Sequence, residues 1–286
     1  MGVMKQVKLQ DAVICITGAS SGIGWAAAKA FDRAGARLSL VARRKERLAE
    51  LASELRDAII IPADMSDASR AASMIEETVR HFGRIDILVN NAAAIIVSRA
   101  DETGPDDLHR SFATNLVGPL VAVNTALPYM RRQGYGHIIN VGSPGFLIGV
   151  PCYTSYVCSK AAMSAWTRTI QAEWADTGIV VSEYFPGYIK TDSPPESRYT
   201  GVEQSLVIDP DANAVTRFFT RPKSADDVAG QLVKLAQRPR LLKHSGIFVP
   251  LGAVLSLIPR IRLSIARDMA VSVRKRLGLS IFSTEE

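Results

Sequence analysis

The stretch "AVICITGASSGIG", Ala12 to Gly24, runs from an apolar segment straight into a glycine-rich turn that opens a helical pattern. Glycine permits backbone torsions and close approaches that a Cβ would forbid, so Gly18, Gly22 and Gly24 can fold the chain around an anion. The helix starting there directs backbone N–H groups at the same point. A glycine triplet alone is common, whereas one placed between a strand and a helix points to a bound pyrophosphate.

The same rhythm continues along the chain. The runs AVICIT, RLSLVA, AIIIPA, IDILVNNA, HIINVGS, IVVSEYFP and GIFVP read as seven strands, apolar enough to be buried on both faces. Amphipathic segments begin near Gly24, Arg44, Ser66, Asp106, Tyr153 and Ser224. This alternation predicts an α/β fold: a Rossmann-like, doubly wound parallel sheet of about seven strands with helices on both faces. Functional groups then gather at the carboxyl ends of the strands. Residues 1–250 are expected to form a single dinucleotide-binding catalytic domain. Within it, Ser193 to Pro222 carries Pro194, Pro195, Pro210 and Pro222 and reads as a long lid-like connection.

The end of the second strand discriminates between dinucleotides. A carboxylate there would hold a ribose 2′-hydroxyl, but the chain reads LVARRKER. Arg43, with Arg44, suits a 2′-phosphate, so NADP(H) is the expected cofactor; the plainer alternative is a pair of arginines solvating a helix start.

The formal charge of +6 is unevenly spread. Between Arg238 and Arg276 the basic residues are opposed only by Asp268, and the rest of the chain is slightly acidic. No aromatic platform or nucleic-acid-binding motif accompanies the charge, so no nucleic-acid partner is expected. Cys15, Cys152 and Cys158 form no CxxC pair and the four histidines lie far apart, which disfavours a disulfide framework and a metal. The N-terminus lacks a signal-peptide pattern, and Gln6 stands where a myristoylation signal needs Ser or Thr. A cytoplasmic setting is expected.

In "YTSYVCSK", Tyr153 to Lys160, two phenols compete for a catalytic role. An ordinary phenol titrates near ~10 and needs a nearby cation to exchange a proton quickly at neutral pH. Residues four apart share a helix face, so Lys160 partners Tyr156, while Tyr153 meets only Val157.

These residues together resemble the short-chain dehydrogenase/reductase family, from Val13 to about Val249. The matching features are TGASSGIG, Asp64 after the third strand, NNA at Asn90 to Ala92, Asn115 in ATNLVG, Ser143 in NVGS, YVCSK, and PGYIKT from Pro186 to Thr191. The resemblance implies that Tyr156 is the general acid/base, that Lys160 lowers its pKa and holds the nicotinamide ribose, that Ser143 orients the substrate oxygen, and that Asn115 anchors a water chain through Lys160. It further implies cofactor contacts from Ser20, Ser21 and Ile23 in the turn, Asp64 near the adenine, Asn91 near the ribose, and Ile189 with Thr191 near the carboxamide. Plainer readings stand beside these: Asn115 bonding backbone within its helix, Cys158 as core packing, Tyr153 as a pocket wall, and Asp64 as a helper of the helix after Ser66. The family usually has glycine after NNA, where this chain has Ala93 and Ala94, which bears on substrate fit.

The expected pocket wall of Pro144, Gly145, Phe146, Leu147, Pro151, Tyr153 and Tyr188, with lid candidates Tyr199, Leu206, Phe218 and Phe219, carries no charge. A small hydrophobic ketone or alcohol is the expected substrate. A non-catalytic nucleotide-sensing or scaffolding protein is the rival reading; such proteins tend to lose the tyrosine or lysine, and both are present. Family resemblance implies a homodimer or homotetramer through the helices of Asn115 and Tyr156. Residues 251–286 form a basic extension whose uncharged run, Ser245 to Pro259, falls short of the ~20 residues that span a bilayer. Ile258, Ile261, Ile265 and Met269 at helical spacing, with Arg260, Arg267 and Arg274 on another side, fit peripheral membrane contact, a pocket cover or a subunit contact.

Overall fold

The structure is a computed structural model that describes residues 8–187, 189, 196–197, 223–244 and the single positions 263, 266, 267 and 270. Four strands alternate with three helices through the first third, and a fifth strand follows the fourth directly: β1 (Val13–Thr17), α1 (Gly22–Arg33), β2 (Arg37–Ala42), α2 (Lys45–Ala52), β3 (Ala58–Pro62), α3 (Ala68–Phe82), β4 (Ile87–Asn90) and the two-residue β5 (Ile96–Val97). Next come α4 (Pro105–Phe112), a π-helical turn (Ala113–Val117) and α5 (Gly118–Gln133), continuous from Pro105 to Gln133. The remainder comprises β6 (Gly136–Val141), a short α6 (Gly145–Ile148), α7 (Thr154–Glu173), β7 (Ile179–Phe185), β8 (Glu196–Ser197), α8 (Ala225–Gln237) and β9 (Leu242–His244).

Seven strands form one sheet in the order β3-β2-β1-β4-β6-β7-β9, every pair parallel. The expected doubly wound α/β fold is therefore observed. Strand order reverses between β1 and β4, and the crevice beyond their carboxyl ends is where such sheets bind ligands.

Alternation along the strands sends successive side chains to opposite layers. Ile14, Ile16, Leu38, Leu40, Ile87 and Val89 pack with Ala27 and Phe31 of α1, Leu48 of α2 and Leu232 of α8. Cys15, Val41, Leu88 and Ile138 pack on the other face with Met74 and Ile75 of α3 and Ala122, Ala126 and Met130 of α5. Each large side chain buried this way contributes about 1.5–3 kcal/mol.

The seventh strand among the described residues is Leu242–His244; the expected strand GIFVP lies outside them, as do most of the expected lid and extension. Two expectations are corrected. Cys158 is exposed on α7 and does not pack in the core, whereas Cys15 is buried, its thiol pushed up to about 12 by desolvation. The residue capping α3 is Asp67, which accepts from the amides of Ser69 and Arg70; Asp64 instead closes a turn onto Ser66.

On β6, His137 is fully buried, its Nε2 2.8 Å from the Ser182 hydroxyl, while its Nδ1 has no partner. Burial holds its pKa down at about 3, against an ordinary 6.5. Below pH 6.5 the unfolded chain takes up a proton that the native state refuses, so stability falls from there toward pH 3 by up to about 1.4 kcal/mol per pH unit. Urea titrations between pH 7 and 4 should show that component of the slope removed in His137→Asn.

Candidate active site

The turn after β1 is stitched to the end of β4. The Thr17 hydroxyl accepts from the amides of Asn91 and Ala92, each at 3.0 Å, and the Asn91 side chain donates to the Thr17 carbonyl at 2.9 Å. Gly18 sits at φ +70, and a Cβ there would stand 2.9 Å from both Ala92 Cα and Asn91 Nδ2. A Cβ at Gly24 would run into the Gly18 carbonyl. Both glycines are thus required for the turn to close at the switch point. Ser21, the N-cap of α1, makes no side-chain cap hydrogen bond, and no acidic residue occupies the first turn. The arrangement fits a dinucleotide phosphate.

Arg44 reaches back from the start of α2 to this turn. Its guanidinium donates to the Ser20 hydroxyl at 3.0 Å, the Ser20 carbonyl at 3.3 Å and the Ser21 hydroxyl at 2.8 Å. Arg43 lies 3.8 Å from Asp64, both exposed, a pairing that contributes little. Arg44 and both serines thus meet at one corner of the turn.

Asn115 occupies the π turn and is fully buried. Its side chain accepts from the Ala94 amide at 2.7 Å and donates to the Ala94 carbonyl at 3.0 Å and the Ser159 hydroxyl at 2.9 Å. Both amide hydrogens go to partners outside its own helix, contrary to the plainer reading. Ala93, where the family pattern has glycine, is exposed.

Ser143 follows β6, and its hydroxyl accepts from the Gly145 amide at 3.2 Å and bonds Tyr156. Tyr156 is half-buried on α7; burial pushes its phenol up, the Ser143 hydrogen bond opposes this, and the nearby Tyr153 adds to the rise. Tyr153 itself is buried beside Val97, its ring 6.4 Å from that of Tyr156 and edge-on. Lys160 is 2 % exposed; its Nζ donates to the Val141 carbonyl at 2.8 Å and lies 3.7 Å from Met163 Sδ. Desolvation lowers its pKa to about 8, with Glu183 opposing. Lys160 is therefore committed to the strand, and its charge is not what governs the phenol in this arrangement.

Phe146 and Leu147 lie half-buried in α6, with Phe146 5.9 Å from Phe185. Ile189 bridges to Lys223 and packs on the core, while Thr191, Tyr188, Tyr199, Leu206, Phe218 and Phe219 lie outside the described residues. Among the described residues no group of His, Cys, Asp or Glu could hold a metal, and no helix is long and apolar enough to cross a membrane. Sequence reading missed Glu183, whose signal was an acid inside the apolar run IVVSEYF.

A parallel sheet with a glycine turn at its switch point, and with serine, tyrosine and lysine gathered where β6 ends and α7 begins, fits a dinucleotide-binding oxidoreductase. Residues 12–200 match the family described as short chain dehydrogenase, and the chain belongs to that family, which uses nicotinamide cofactors. An uncharacterized oxidoreductase of Staphylococcus epidermidis is 34% identical over 75% of this chain and 94% of its own length. A fatty acyl-CoA reductase of Mycobacterium tuberculosis is 35% identical over 77% of each chain. Among solved structures, a short-chain dehydrogenase from Streptomyces avermitilis superposes with a TM-score of 0.74 at 26% identity, covering 92% of this chain and 97% of that one. An alcohol dehydrogenase from Thermococcus sibiricus, complexed with 5-hydroxy-NADP, gives 0.67 at 27% identity over 82% and 95%.

A lysine whose native pKa is near 8 and whose unfolded value is near 10.5 weakens the fold fully below pH 8, and the penalty fades as pH rises toward 10.5. Wild-type protein is therefore expected to gain stability as pH rises from 8 toward 10, and Lys160→Met to lack that component of the slope, as read by thermal denaturation.

Proposed function

We propose that the protein is an NADPH-dependent oxidoreductase that interconverts a carbonyl and a secondary alcohol on a largely hydrophobic substrate, with Tyr156 as general acid/base. The observation that carries this reading is the Ser143–Tyr156 hydrogen bond, with Lys160 one helical turn along on α7. Burial keeps the phenol protonated at neutral pH, which suits it to give a proton to a carbonyl oxygen in the reductive direction. Ser143 holds that oxygen and the tyrosine hydroxyl in one hydrogen-bonded group. Lys160, released from the Val141 carbonyl, would supply the positive charge that lets Tyr156 give up and regain its proton. A bound nicotinamide supplies or accepts the hydride.

Preference for NADPH is supported by Arg43 and Arg44 at the end of β2, where no carboxylate stands, and by the clasp of Arg44 on Ser20 and Ser21. The apolar side chains of α6 favour a hydrophobic carbonyl compound, and the Mycobacterium relative's name puts fatty acyl chains among the candidates. By the same reading Ile189 and Thr191 flank the carboxamide, 193–222 closes over the substrate, and 251–286 is a basic extension suited to anionic membrane surfaces. Subunits of a homodimer or homotetramer would meet through α5 and α7, and the protein would work in the cytoplasm.

The test is a screen of hydrophobic ketones and aldehydes with NADPH and NADH, following loss of the reduced cofactor. Tyr156→Phe should lower kcat by roughly 10²–10⁴-fold, and Arg43→Ala with Arg44→Ala should raise KM for NADPH while leaving that for NADH nearly unchanged. Turnover surviving the tyrosine substitution would overturn the assignment.

A further inference from the structure

One charged group beside the site has no part in the chemistry described above. Tyr156, Lys160, Ser164 and Arg168 follow one another at intervals of four on α7 and so share a face, leading from the site to an exposed arginine. Glu183 faces this stripe from β7 and is only 4 % exposed. Burial pushes the pKa of its carboxyl up, and the Ser164 hydroxyl and the charges of Arg168 and Lys160 oppose the rise. Its Oε1 has no hydrogen-bond partner, and a Cβ on Gly142 would stand 3.3 Å from it. That places the unpartnered oxygen against the Val141–Gly142–Ser143 segment, whose Val141 carbonyl receives the Lys160 ammonium at 2.8 Å.

A buried carboxylate with an unfilled oxygen is strongly unfavourable unless a neighbouring charge compensates it. The surroundings offer few candidates. Arg168 is exposed, so water and salt screen it. On β6 the register neighbour, Asn140, is spent on Asn90 and Thr167. On β9 the neighbour is Leu242, and Lys243, paired with Tyr184, alternates to the opposite face. His137 lies on that opposite face too and is neutral at physiological pH. Seen from Lys160, the remaining neighbours are neutral: Met163 and the Val141 carbonyl. Glu183 is the one charge among the described residues that supports its ammonium.

We propose that Glu183 is a positioning residue for Lys160: across the β6–β7 edge its carboxylate holds the lysine ammonium in place one turn from Tyr156. The inference deepens the oxidoreductase reading and rests on it for its catalytic consequence. The apolar strand then tolerates an acid because the lysine, stripped of water, has no other counter-charge. Glycine at 142 leaves room for the free oxygen.

The test follows Lys160 directly in cofactor-free, 15N-lysine-labelled protein by NMR, its Nζ signal identified by its loss in Lys160→Met. Desolvation already lowers the pKa of this lysine and Glu183 opposes the drop, so removing the carboxylate lowers it further. In Glu183→Gln the Lys160 titration should move to lower pH by on the order of one unit, and the alkaline limb of kcat/KM should move the same way. Glu183→Asp should restore more than half of the shift. Glu183→Met, which packs as an apolar side chain, provides the same readout if the glutamine variant does not fold. An unchanged Lys160 titration in the neutral variants overturns the proposal. Failure of the oxidoreductase reading would look different: Tyr156→Phe would retain turnover, while the cofactor-free titration would still decide the role of Glu183.

Discussion

A buried side-chain amide sits where three segments of the site meet. Asn115 holds both backbone groups of Ala94 and the hydroxyl of Ser159, so the loop after β4, the π turn and α7 cannot shift independently. Leaving one of these buried groups unpaired would cost about 1–3 kcal/mol, which makes the contact directional in a way that apolar packing is not. The π turn departs from regular helical pairing at the one position where the side chain needs to leave the helix. A second ladder, Asn90 to Asn140 to Thr167, ties the same helix to the sheet.

The dry setting that gives these contacts their strength also sets the state of the acid and base. Burial pushes the Tyr156 phenol up and the Lys160 ammonium down, each toward its neutral form. Burial thus disfavours ionisation of both groups, and it is opposed by Glu183 at the lysine and by the Ser143 hydroxyl at the tyrosine. A core built for stability alone would hold neither group.

Much of this was legible in the chain before folding. Strand and helix positions follow from periodicity, and the turn at Gly18 to Gly24 is written as glycine because no other residue closes it. The edge strand at Leu242–His244 was not legible, because its exposed flank breaks the apolar run that marks buried strands. Cys158 was assigned to the core because spacing from Tyr156 and Lys160 says which side of a helix it faces but not whether anything covers that side. The sequence reading pointed to Asp64 as the helper of this helix, and the backbone path instead puts Asp67 at the cap.

By itself the sequence determined the parallel α/β order, the glycine turn and the helical pairing of Tyr156 with Lys160, because each is encoded by residues close together in the chain. Tertiary structure alone decided that Lys160 bonds the Val141 carbonyl, that Asn115 clamps Ala94 to α7, and that Glu183 faces the α7 stripe that carries Lys160. The physical reason is that desolvation and charge act through space: residues twenty or more positions apart set the protonation and orientation of a side chain, and no local pattern records which of them will arrive.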